Sequence, residues 1–166
     1  MFDEEKTEIN EYSGEQPAAP SSGLAGLRAQ REQIKKALHL DLQVPRYTDP
    51  VFVRYSAPSK SLIRHINDRA EKSRDKNVLA EAMLLAECCV GVFQKDSNGD
   101  PIGDPEEWPK FDAALAEYLG EPNLTRATDV VRALYLTDGD VLGHSADLSR
   151  WAGFAGAEAA EEYEGN

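Results

Sequence analysis

The chain holds few of the residues that usually announce chemistry. Of its 166 residues, two are cysteine and three are histidine. The cysteines, Cys88 and Cys89, are adjacent. Neighbouring cysteines seldom bridge each other, because the ring so formed distorts the peptide bond between them. They stand among Met83, Leu84, Leu85, Val90 and Val92, which predicts buried, reduced thiols in a helix. No apolar run approaches the roughly 18 residues that a membrane span needs. The N-terminus is acidic with no apolar stretch behind it, so it does not read as a signal peptide. A cytosolic protein with no membrane partner is therefore expected. There is no nucleophile elbow, no phosphate-cradling glycine loop and no two-histidine zinc helix. Basic residues are also scarce: 18 Lys and Arg against 30 Asp and Glu, a net charge of −12. That balance argues against a nucleic-acid partner, since phosphate contact needs a basic footprint. The one basic cluster, from Lys60 through Arg64, Arg69, Lys72 and Arg74 to Lys76, is diluted by Asp68, Glu71 and Asp75 and reads as a solvated helix face.

What is present is negative charge at the two ends. Residues 1–20 carry a net −5 and residues 156–166 a net −4, which leaves −3 for the 135 residues between them. Like-charged segments repel themselves and bury little. Disordered acidic tails are expected over 1–23, with the linker composition Gln16–Gly23, and over 156–166. The near-neutral body is long enough to bury one core.

Within the body, Leu24, Leu27, Ile34 and Leu38 fall near helical spacing among basic residues, so 24–38 reads as an amphipathic helix, a candidate for loose docking. Leu40–Val44 alternates and Val51–Tyr55 is β-branched and aromatic, with prolines between them, which predicts a small hairpin. Ser59 is a candidate N-cap for a helix with the stripe Leu62, Ile63, Ile66 and Ala70. Residues 77–93 are apolar on more than one face and read as a central helix, with Gly91 either stopping it or permitting close packing. Asn98-Gly99 could close a second hairpin. Three more helices carry the stripes Phe111–Leu119, Val130–Tyr135 and Val141–Trp151, the first and last closed by Gly120 and Gly153. The fold class expected is mainly α (α+β): a compact helical bundle over 38–155 with one or two small β-hairpins.

Candidate chemistry is thin. Asp96–Pro101 resembles the start of a calcium loop, but Pro101 stands where such a loop needs glycine to turn. His65 with Asp68, and His144 with Asp147, could each be half a metal site, yet neither has completing ligands at a useful spacing. No catalytic, cofactor or metal residue is assigned. A metal-dependent enzyme around His65 or His144 is kept as a rival reading. The aromatics Trp108, Phe111, Tyr118, Tyr135 and Trp151 are the candidate partner-binding residues. Most are expected as core anchors, and any that are exposed would anchor contacts.

The stretch Asp129–Leu142, ending in Asp147–Gly153, together with Val51–Tyr55 and the segment that reaches Val90–Phe93, resembles the tail assembly chaperones of long-tailed phages that infect actinobacteria. The resemblance spans roughly 48–155 and lies in pattern and element order. It implies a non-enzymatic factor of the host cytoplasm, absent from the mature virion. Such a factor covers the helical tape measure protein and keeps it soluble while the tail polymerises. The partners implied are the tape measure protein, a longer form of the chain itself made by a −1 frameshift, and the major tail protein. Glu164-Gly165-Asn166 can be encoded by GAG-GGA-AAC, which contains a slippery heptamer in the required frame. An adaptor for a different phage or host structural protein is the other rival.

Overall fold

The structure, a computed structural model, describes residues 23–154. The expected acidic tails lie outside these residues, apart from Gly23. The chain divides after Leu38 into two units. In the first, α1 (Leu27–Ala37) is the expected amphipathic helix. Lys35 and Lys36 lie in its last turn, where cations complement the carbonyl end of the helix dipole. None of its residues is buried, and Leu24, Leu27, Ile34 and Leu38 are all exposed.

The second unit is α+β: an antiparallel sheet of three strands in the order β1-β2-β3, with five helices among the described residues. β1 (His39–Gln43) pairs with β2 (Phe52–Ser56) in the expected hairpin, Leu40 opposite Tyr55 and Leu42 opposite Val53. Period-two alternation sends these four side chains to one face, where Val53 and Tyr55 are fully buried. α2 (Lys60–Ala70) starts as its cap predicts, with Ser59 Oγ accepting from the Leu62 amide at 3.1 Å. α3 (Lys76–Cys88) is the hub against which α2, α5 and α6 pack. Ala80, Ala82, Leu84, Leu85 and Cys88 are all buried, because a helix that is apolar on several sides needs neighbours on several sides.

The helix expected over 77–93 ends early. Cys89–Phe93 is β3, antiparallel to β2. Two physical reasons favour the strand. Val-Gly-Val-Phe has β-branched and aromatic side chains and a glycine that weakens a helix. The free edge of β2 also offers backbone groups that need partners. A bulge at the Arg54–Tyr55 step leaves Val90 as the extra residue of β3. Parity therefore shifts, so Cys89 and Val92 both face the helices while Gly91 and Phe93 face the other way. Both thiols are free and buried, as expected, but Cys88 closes a helix and Cys89 opens a strand.

The outer face of the sheet is covered by the loop after β3. Trp108 follows a 3-10 turn (Pro105–Glu107) and lies on Gly91, where a Cβ would come within 2.6 Å of the Trp108 Cβ. Its ring stacks on Phe93 at 4.2 Å between centroids, and Phe93 stacks on Phe52 at 5.6 Å. Arg54 sits over Phe93 and Trp108 and is held by Asp41 through two hydrogen bonds of 2.8 and 2.9 Å. Trp108 Nε1 donates to the Ile102 carbonyl at 2.9 Å, and the Val92 amide to Pro109 O at 2.8 Å, which shields the edge of β3. The second hairpin expected at Asn98-Gly99 is a turn with one bridge, Lys95 to Pro101, and no strands of its own.

α4 (Ala113–Tyr118), α5 (Ala127–Tyr135) and α6 (Asp138–Trp151) complete the unit. Asp112 and Thr137 cap α4 and α6 by accepting from Leu115 N and Asp140 N. Thr125 or Thr128 would be the N-cap that the sequence offers α5, but Arg126 holds that position and pairs with Asp129.

Candidate interaction surface

The five candidate aromatics do not form one patch. Trp108, Phe111 and Tyr135 are buried, Trp151 is half-buried, and Tyr118 is 81% exposed. Trp108 is held by the sheet and Tyr135 by the core, so neither offers a face to a partner. Tyr118 alone of the five stands in solvent, at the end of α4.

Tyr135 belongs to a buried polar chain. Its hydroxyl lies 2.6 Å from that of Tyr55 and 2.9 Å from His144 Nδ1. With the imidazole proton on Nε2, Nδ1 accepts from Tyr135 and Tyr135 accepts from Tyr55. Burial raises the pKa of both tyrosines and lowers that of His144, against the nearby carboxylates Asp147 and Asp140. Burial also pushes the Cys88 thiol to about 11 and the Cys89 thiol to about 12, so both stay protonated at neutral pH. These groups satisfy one another inside the core.

The loop resembling a calcium site is committed to its own backbone. Asp96 Oδ1 accepts from the amides of Asn98 and Asp100 at 2.9 and 3.0 Å, a side-chain-closed turn. His144 Nδ1 faces Tyr135, and His65 is exposed on α2. Among the described residues, no group of three or more His, Cys, Asp or Glu side chains is placed to hold a metal ion. No helix among them is long and apolar enough to cross a membrane.

What the fold does open is a pair of grooves along α3. One runs between α3 and the neighbouring ends of α2 and α5, beside Leu79, Met83 and Ala86, with Arg69 and Arg126 at its rim. The other lies between α2, α3 and α6. Its floor is Ala80, Leu84 and Ser145, all buried, and its walls include the half-buried Ile63 and Ser149. Leu142 stands at its edge, 40% exposed. Ser145 Oγ donates to Glu81 Oε1. The stripes containing Ile63 and Leu142 read as core in the sequence, whereas both residues border open space. Glu81 carried a signal of its own, as the single charge in the apolar run Val78–Ala86.

Compared with known protein families, with curated proteins and with solved structures, the chain matches none of them.

Proposed function

We propose that the protein is a phage tail assembly chaperone that binds the tape measure protein and keeps it soluble during tail assembly. The resemblance over 48–155 suggests the reading. The observation that carries it is the groove between α2, α3 and α6, where an apolar strip of Ile63, Ala80, Leu84 and Leu142 beside the polar Asn67, Glu81 and Ser149 has room for one or two side chains from the striped face of an amphipathic helix. A long apolar-striped helix aggregates unless its stripe is covered, and a groove between helices is a recurring way to cover one. Under this reading the protein acts by contact, in the host cytoplasm, with a frameshifted longer form as a second partner. It is left out of the mature virion.

Co-expression with several tape measure segments tests the proposal. At least one segment should remain soluble with the protein and aggregate without it. Apolar burial should dominate, so the complex should survive about 1 M salt, where the Debye length is about 3 Å. If every segment aggregates equally with and without the protein, the chaperone reading fails and an adaptor for another structural protein takes its place.

A further inference from the structure

The groove between α2, α3 and α6 has a polar end as well as an apolar strip. Glu81 projects from the middle of α3, half-buried, with Ser145 donating to one carboxylate oxygen. Its other oxygen has no hydrogen-bond or ion-pair partner among the described residues. Ser149 and Asn67 add a hydroxyl and an amide, and among the described residues no basic side chain lines the groove. A carboxylate held in place by a buried hydroxyl beside apolar walls, with its second oxygen open to the groove, offers a cation a charge-assisted hydrogen bond. The volume, about 240 Å³, is below the range of about 300–1,000 Å³ that small-molecule sites occupy. It suits one or two side chains of a partner.

We infer that this groove selects a partner helix by a lysine inserted within its apolar stripe. The lysine stem would lie along Ile63, Leu84 and Leu142, and its ammonium would reach Glu81, Ser149 and the Asn67 amide oxygen. Lysine suits such a place because its four-carbon stem is apolar and its head is a compact charge with three donors. Ser145 is the positioning residue: fully buried, it fixes the Glu81 carboxylate at the mouth of the strip. The inference rests on the chaperone reading for the partner's identity, but the site's chemistry stands apart from it.

The test therefore has two arms, both on the full chain. In the first, n-hexylammonium and n-hexanol are titrated separately and followed by amide and methyl chemical shifts. The ammonium should shift Glu81, Ser145, Ile63 and Leu142 with an affinity about tenfold above that of the alcohol, the scale of one charge-assisted hydrogen bond. Glu81→Gln, which keeps shape and the Ser145 contact, should erase that preference while the melting temperature shows the fold intact. Equal binding of the two probes, a preference that survives in Glu81→Gln, or shifts elsewhere would overturn the inference. In the second arm, tape measure segments are bound to the wild type and to Glu81→Gln. A lysine-bearing segment should lose about tenfold or more in affinity, and its Lys→Met version should lose none on the same substitution. A segment that binds wild type and Glu81→Gln alike overturns the inference and leaves the chaperone reading in place. Failure of every segment to bind removes the chaperone reading, while the first arm still decides the site.

Discussion

At the scale of single residues, His144 shows how burial sets a chemical state. The imidazole is half-buried against Tyr135, 5.0 Å between ring centroids and edge to face, with Nδ1 on the tyrosine hydroxyl. Desolvation lowers its pKa below the ordinary 6.5, and Asp147, Asp140 and the Gln43 backbone only partly oppose this. The unfolded chain therefore binds the proton more readily than the folded one. Between the lowered folded value and about 6.5, stability should rise with pH; below the folded value this loss is complete. Urea midpoints measured from pH 7.5 downward should fall in that window, and His144→Gln should remove that part of the fall. A slope unchanged by the substitution would show that the imidazole titrates as freely in the fold as in the unfolded chain. Two carboxylates act in a separate, more acid window. Asp75 is held low by Ser73 and Arg132, and Asp140 by Arg46, so what they contribute is lost only as pH falls through the carboxylate range.

At the scale of elements, the departure at Cys88 is the instructive one. Apolar content alone extends α3 to Phe93, because a run buried on all sides has no period to read. Gly91 carried the missing signal in one of its two expected roles, close packing, and its partner is Trp108. A methyl at residue 91 would press on the Trp108 Cβ, which cannot swing away as a side-chain tip can. Gly91→Ala should cost about 1–3 kcal/mol, the range for overpacking, and should weaken the near-ultraviolet signal of the tryptophan. Gly143→Ala on α6 is the control. Nothing lies within 4 Å of a Cβ there, so the change should be neutral or stabilising by about 0.5–1 kcal/mol. Loss of stability in both variants alike would mean that Trp108 does not rest on Gly91.

At the scale of the whole molecule, the second unit is organised around α3, with helices on three sides of it and the sheet continuing from its end. Cys88 and Cys89 lie at that junction, both buried and both with raised pKa. Their reaction with a thiol reagent should therefore be limited by opening of the unit. The reaction rate at increasing urea should follow the global unfolding curve, at both residues together. Fast labelling of either thiol in native buffer would show that the α3–β3 junction opens on its own.

Much of the fold follows from local chemistry legible in the chain. Ser59 caps α2, Gly120 and Gly153 take positive φ after α4 and α6, and alternation over 40–44 and 51–55 makes the first hairpin, because each depends on residues within a turn of one another. The apolar excess of 77–88 likewise marks the central helix. The candidate site was less legible. Of five aromatics, three are buried, Phe111 and Tyr135 in the core and Trp108 against the outer face of the sheet, since nothing in a sequence separates a buried ring from one that waits for a partner. Ile63, Glu81, Leu142, Ser145 and Ser149 come from three helices and meet only when α2 and α6 pack on either side of α3. The strand at Cys89–Phe93 is equally non-local, because the free edge of β2 and the indole of Trp108 decide it. Composition and period thus determined which segments are helical, which are acidic and where turns fall. Tertiary packing alone decided where α3 ends, which rings are hidden and which carboxylate is left facing a groove, because each of those outcomes depends on neighbours far away in the chain.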